Sequence, residues 1–304
     1  MSTSGSPFSR LVTVPVTGST QDDLRSALRG PETEAWPHLS ALRALRQTAG
    51  RGRSGRAWVT PDDGALLVSV VLRPLVPARL LTWVPLLAGL AVRDALEPFV
   101  RGRGWRMGTK WPNDVVAVPE SSTVVAPVPG WASTRKIAGV LSELVTSEPS
   151  EGCTTQLPVA DEGPAGRDEA PMVILGIGVN IGQEVDDLPV AWAGSLRTLG
   201  AVDADGDSAH AAVAEVVLNA IGHQLVRRLE QWEEVCGDVD AGDGALGREL
   251  RAALTTLGQH VSVQAPDGEL SGLAVDVTPA LVLRNQAGDT EVRAGDVTLV
   301  RVTG

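Results

Sequence analysis

Two hydrophobic rhythms run along this chain and divide it. Residues 64–72 form a β-branched apolar run bounded by Gly64 and Pro74, which predicts a strand. Residues 81–99 space their apolar side chains at helical intervals and predict a buried helix, with Pro85 tolerated near its start. Residues 41–48, 136–145 and 172–181 read as further strands, the last two with glycines at one end. Gly18 and Ser19 lead into a helix that runs to Gly30, capped by Ser19 or Thr20 and carrying Asp22 and Asp23 in its first turn. Residues 208–234 read as a long amphipathic helix. Beyond Leu257 the period shortens. Alternating segments at 260–265, 272–277, 280–284, 290–294 and 297–302 are separated by turns such as Pro266-Asp267-Gly268 and Ala287-Gly288-Asp289. That pattern predicts a small all-β barrel of SH3-like size over 257–304, after a larger domain over 1–256. Two low-complexity inserts, 119–134 and 147–171, read as solvent-exposed excursions.

Composition narrows the class. The chain has 304 residues, 43% of them hydrophobic, enough for one large core or two domains. A net charge of −11 opposes loose attraction to nucleic acid and makes any local cationic cluster more telling. Cys153 and Cys236 are the only cysteines and lie far apart, which argues against a disulfide framework and agrees with a reducing cytoplasm. His38, His210, His223 and His260 show no zinc-site spacing, and no metal-ligand set is assigned. The amino terminus lacks the apolar core of a signal peptide, and the most apolar stretch, 80–92, is too short for a bilayer. A soluble, cytoplasmic protein is expected.

Chemistry concentrates in four short segments. Residues 50–58, GRGRSGRAW, put Arg51, Arg53 and Arg56 among Gly50, Gly52 and Gly55 and end on Trp58. Glycines allow close backbone approach, and guanidinium forks suit carboxylate and phosphate, so this loop is expected to fold over an anionic ligand. Lys110-Trp111-Pro112-Asn113-Asp114 sets a cation and two polar side chains at a rigid turn beside a strand end. Lys136 opens a strand in which Gly139 lets a ligand come close, and residues 176–182, GIGVNIG, place Asn180 at the end of an apolar strand. Each has an ordinary reading taken alone. Arginine–glycine triplets decorate solvated loops, KWPND is a turn with a surface lysine, Lys136 is a solvated strand edge, and the glycine-rich run opens no helix as a dinucleotide loop would.

In combination and in this order, the segments from Ser19-Thr20 through GRGRSGRAW, KWPND and KIAGVL to GIGVN resemble the biotin–protein ligases. The resemblance runs from about Val14 to the carboxyl end. It implies an α+β fold: a mixed-sheet catalytic domain of the class II synthetase and biotin–lipoate ligase type, followed by an SH3-like barrel. It implies ATP with Mg2+ and biotin as substrates, biotinoyl-5′-AMP as intermediate, and a lysine of a biotin carboxyl carrier domain as acceptor. It assigns Lys136 and Arg53 to catalysis. Ser19, Thr20, Gln21, Gln47, Arg51, Gly52, Arg53, Lys136 and Gly139 fall at biotin-binding positions. Arg53, Arg56, Trp58, Lys110, Asn113, Asp114 and Asn180 fall at adenylate positions. Trp58 is expected to pack over the ligand, and Asn113 with Asp114 to serve the phosphates or to position Lys110.

Two departures stand out. Gln21 replaces the asparagine common after Ser-Thr, and the 119–134 insert is longer than the usual hairpin before KIAG. The insert is expected to protrude without altering the site. Three other readings compete. A DNA-binding repressor is disfavoured by the acidic balance and by the eighteen residues ahead of Ser19, too few for a helix-turn-helix. A lipoate or octanoate ligase would lack the arginine loop. A non-catalytic biotin sensor would not need Lys136 and Arg53.

Overall fold

The computed structural model describes residues 5–59, 64–145, 163–202 and 207–300. Seven strands form a mixed sheet: β1 (Arg10–Thr17), β2 (Ser40–Gln47), β3 (Ala65–Leu72), β4 (Trp105–Lys110), β5 (Asp114–Pro119), β6 (Arg135–Val145) and β7 (Met172–Asn180). Their spatial order is β1-β2-β3-β7-β6-β5-β4. Only β1 and β2 run parallel; every other neighbour pair is antiparallel. The edge strand β1 tolerates Pro15 because one of its sides lacks a ladder partner.

β3 and β7 lie at the centre and are apolar on both faces, which is why they read as continuous hydrophobic runs. Side chains alternate between two cores. Leu66, Val68, Val70, Val173, Leu175 and Ile177 join the main core. Val71 and Ile174 face the other way and join a smaller core with Leu24 and Leu28 of α1 (Thr20–Arg29). Leu24 and Leu28 are four residues apart and share one face of that helix. Ser19 caps it, its hydroxyl accepting from Asp22 N, and Gly30 ends it.

The main core is built on α2 (Val84–Val100), which is buried nearly all round and packs on α3 (Asp207–Glu234) and the sheet. The helix starts later than the hydrophobic spacing predicts, because residues 78–83 form a 3-10 lead-in and Pro85 occupies its first turn. Periodicity did not reveal β1, β4, β5 or the short helix α4 (Ala245–Ala253). The barrel matches expectation, with β8 (His260–Ala265), β9 (Gly268–Val277), β10 (Leu281–Asn285), β11 (Gly288–Val292) and β12 (Asp296–Leu299) ordered β11-β10-β9-β8-β12. Its interior, including Val261, Leu281 and Val297, is continuous with the main core rather than separate from it.

The insert at 119–134 departs from expectation. Residues 120–127 are largely exposed, but Trp131 is buried at 8% exposure and Leu299 N donates to Gly130 O at 3.0 Å. A tryptophan carries too much apolar surface to leave in water when a ring and a lysine stem stand nearby. Most of the second insert, residues 146–162, lies outside the described residues. Its end is tied down where Arg167 meets Glu233 of α3. Among the described residues no helix is long and apolar enough to cross a membrane.

Candidate active site

The face of the sheet that α1 half covers carries small residues beside the start of the helix. Ser69 pairs with Gly176, Gly178 pairs with Gly139, and Gly176 pairs with Leu141. These positions floor a cavity of about 450 Å³. Every site residue named from the sequence lines it, from Ser19 and Gln47 at one end to Lys110, Lys136 and Asn180 at the other.

One end is a neutral hydrogen-bonding pocket. Gln47 Oε1 accepts from Thr20 N at 2.7 Å and from Thr20 Oγ1 at 3.0 Å, while Thr20 Oγ1 lies 2.8 Å from Ser69 Oγ. Gln21 is buried, and its Oε1 sits so close to Gly176 that a Cβ there would lie 2.7 Å away. The position at which the chain departs from the common asparagine is therefore filled by packing against a glycine.

The arginine loop is a small closed hairpin. Trp58 N donates to Gly50 O at 2.9 Å, Gly52 N donates to Arg56 O at 2.7 Å, and Arg51 pairs with Ala57. Ser54 and Gly55 take positive φ at its tip, which is why small residues stand there. Each arginine is held. Arg51 pairs with Asp22 at 2.6 Å, Arg56 pairs with Asp296 at 2.7 Å, and Arg53 Nη1 donates to Asn113 Oδ1 and Gly295 O, both at 3.3 Å. Trp58 lies on the glycine floor itself: a Cβ on Gly178 would fall 2.5 Å from its Cε2, and one on Gly139 would fall 2.8 Å from its Cζ3. Glycine is required at both positions by that approach.

The other end is electropositive. Lys136 Nζ pairs with Asp114 at 2.6 Å and stands 5.4 Å from the Trp58 ring centroid. Lys110 Nζ donates to Val297 O at 2.6 Å and lies 3.7 Å from the Trp131 ring centroid. Burial pulls the Lys110 pKa down to about 8 against the upward pull of Asp114 and Asp296; Lys136 and Arg56 push it the same way as burial. Burial also draws the Arg53 pKa below its usual value, opposed by Asp296 and Asp114. Asn113 is locked to β6 by Nδ2 donating to Val140 O at 2.7 Å. Asn180 Nδ2 donates to Gly194 O at 2.9 Å, so its amide braces the segment after β7 as well as lining the cavity. Among the described residues, Asp114 and Asp296 are the cavity's carboxylates. Among the described residues no group of three or more His, Cys, Asp or Glu side chains could hold a metal ion.

Sequence reasoning missed the contributions of Asp296, Val297, Trp131 and Trp192. The first two come from the barrel, where nothing local distinguishes them. The tryptophans left a faint signal: the chain has eight Trp, two Phe and no Tyr, so an aromatic ring in a polar insert is conspicuous.

A neutral pocket leading to a cationic trough, with a glycine floor between, makes a site suited to a ligand with a neutral polar head and an anionic end. Residues 14–156 match the model of the biotin/lipoate A/B protein ligase family. The chain is 30% identical to the biotin–[acetyl-CoA-carboxylase] ligase of Mycobacterium tuberculosis, with 98% of this chain and 91% of that protein aligned. It is 28% identical to the enzyme of the same name from Paracoccus denitrificans, over 92% of this chain and 97% of the other. The chain belongs to the biotin–[acetyl-CoA-carboxylase] ligase family. Its fold is also that of the Aquifex aeolicus biotin protein ligase in complex with biotin and ATP, with a TM-score of 0.63 at 24% identity, over 97% of this chain and all of the other.

Proposed function

We propose that this chain is an ATP-dependent biotin–protein ligase working in two steps. A biotin carboxylate oxygen attacks the α-phosphorus of ATP, pyrophosphate leaves, and biotinoyl-5′-AMP forms. The amine of an acceptor lysine then attacks the acyl carbon, AMP departs with the bonding pair, and the amine gives up a proton. The observation that carries this reading is the meeting of Lys136 and Arg53, from separate segments, at the cationic end of one cavity whose opposite end is a neutral polar network.

Two anions must meet in the first step, so fixed cations have to offset their repulsion. Lys136 supplies a point charge beside Gly139, where the carboxylate would pass over the glycine floor. Arg53 reaches across from the loop, and its guanidinium would cover the acyl phosphate. Thr20 and Gln47, with Ser19, Gln21 and the Arg51–Gly52 backbone, would satisfy the ureido ring; buried polar groups left unpaired by an analogue give selectivity. Lys110, Arg56, Asn113 and Asn180 would hold the nucleotide. Trp58 would shield the anhydride from water. Mg2+ would enter as the counter-ion of the ATP phosphates, and Asp114 and Asp296, which line the cavity, would be the carboxylates to hold it. The acceptor would be a biotin carboxyl carrier domain, and the barrel from residue 257, sharing the main core, would close the nucleotide end.

The test is incubation with biotin, ATP, Mg2+ and a carrier domain, read by mass spectrometry for the biotinyl adduct and by pyrophosphate release. Lys136→Ala should slow adenylation by roughly a hundredfold or more, the effect of deleting one preorganised electrostatic contact of about 3–4 kcal/mol. A parallel lipoate arm should give no adduct. Transfer of lipoate in place of biotin, or full activity of Lys136→Ala, would overturn the reading.

A further inference from the structure

The insert hairpin places Trp131 between two parts of the nucleotide end. On one side its ring is stacked on Trp192, with centroids 5.7 Å apart and planes 8° from parallel. On another, Lys110 Nζ stands 3.7 Å from the ring centroid. The hairpin is not loosely held. Val128 N donates to Ala132 O at 2.6 Å, Trp131 N donates to Val128 O at 3.0 Å, and Leu299 N of β12 donates to Gly130 O at 3.0 Å. Trp192 is tied in turn to the catalytic strand, since Lys136 N donates to its carbonyl at 2.7 Å.

The physical need for such a ring is visible in Lys110. Its ammonium is buried and, among the described residues, makes one hydrogen bond, to Val297 O. An electron-rich ring face offers a buried cation a second favourable surface, and an ammonium with three N–H groups keeps donor capacity beyond Val297 O and the ring for phosphate. The same ring fixes the plane of Trp192, which lines the cavity. An ammonium and an indole wall aligned before the ligand arrives cost less to order on binding.

We propose that Trp131 is a positioning residue for the nucleotide, acting through Lys110 and Trp192, and that the 119–134 insert is thereby a working part of the active site. This rests on the ligase reading above. Trp131→Leu keeps apolar bulk and removes the ring face; Trp131→Phe keeps a ring. The KM for ATP should rise about tenfold in the leucine variant, with the KM for biotin and kcat within about twofold of wild type, as for loss of a cation–π and stacking contact used in binding. The phenylalanine variant should recover most of the loss. A role in packing alone would leave the ATP KM of the leucine variant unmoved, or shift both substrates alike, and either result overturns the proposal. Absence of biotinyl transfer by the wild-type chain would instead refute the ligase reading, so the two failures are distinguishable.

Discussion

At the scale of single residues, the cationic end of the cavity balances charge against burial. Lys136 is held by Asp114, Arg56 by Asp296, and Arg53 hydrogen-bonds to neutral acceptors, with the Asp296 and Asp114 charges also acting on it. Lys110, like Arg53, has nearest partners that bear no formal charge, a carbonyl and a ring. With its pKa drawn down to about 8, Lys110 is charged below that pH and neutral above it. Two carboxylates, Asp114 and Asp296, and two cations, Lys136 and Arg56, act on that equilibrium from the surrounding elements. The kcat/KM for ATP should therefore hold through neutral pH and fall on the alkaline side near pH 8. Lys110→Arg, whose guanidinium does not titrate there, should move the alkaline limb upward. A pH–rate profile that stays in place in this variant would assign the limb to another group.

At the scale of elements, the floor and the loop are fitted to each other. Gly139 and Gly178 are directly opposed on β6 and β7, and the Trp58 indole rests on both. The alternation that sends Ile174 into the α1 core sends Gly176 and Gly178 to the same face further along the strand. One strand thus supports a helix at one end and a ligand surface at the other. Gly178→Ala puts a methyl group 2.5 Å from the Trp58 ring. The loop must then lift by a cost of roughly 1–3 kcal/mol, and the adenylate should be held about ten- to a hundredfold less tightly. Release of biotinoyl-AMP into solution during turnover, measured by chromatography, should rise accordingly, while the unfolding midpoint shifts little. Unchanged retention would show that Trp58 does not need that floor.

At the scale of the molecule, distant segments are bound by partly buried polar ties as well as by the core. His38 Nδ1 accepts from Arg73 N at 2.9 Å, next to the Arg167–Glu233 pair that anchors the chain after the second insert. Burial, with help from the Arg167 and Arg73 charges and against Glu233, lowers the His38 pKa to about 4. The unfolded chain binds this proton near pH 6.5 and the folded chain only near pH 4, so between those values unfolding takes up a proton. Stability from this group is complete above about pH 6.5 and is lost as pH falls toward 4, by a few kcal/mol at most. His38→Asn keeps an acceptor for Arg73 N–H and does not titrate, so its urea midpoint should depend less on pH across this window. Equal slopes for the two proteins would show that His38 is not the titrating group.

The parts of the fold legible in the sequence were those with local causes. Ser19 and Gly30 marked a helix because caps act on neighbouring backbone groups, and the barrel hairpins were marked by their turns. The strands β3 and β7 showed because burial on both faces leaves a continuous apolar run. The strand β4, WRMGTK, lacked such a run; β1 and β5 carry short apolar runs, but Pro15 interrupts the first and Pro119 ends the second after four residues. The site residues were legible because GRGRSGRAW, KWPND and KIAG each concentrate unusual chemistry within a few positions. Tertiary structure alone decided what meets them: the carbonyl of Gly295 on Arg53, Val297 on Lys110, and Trp131 between Lys110 and Trp192. Those contacts join residues far apart in the chain, and the stabilisation that selects them exists only after the sheet, the insert and the barrel have closed on one another.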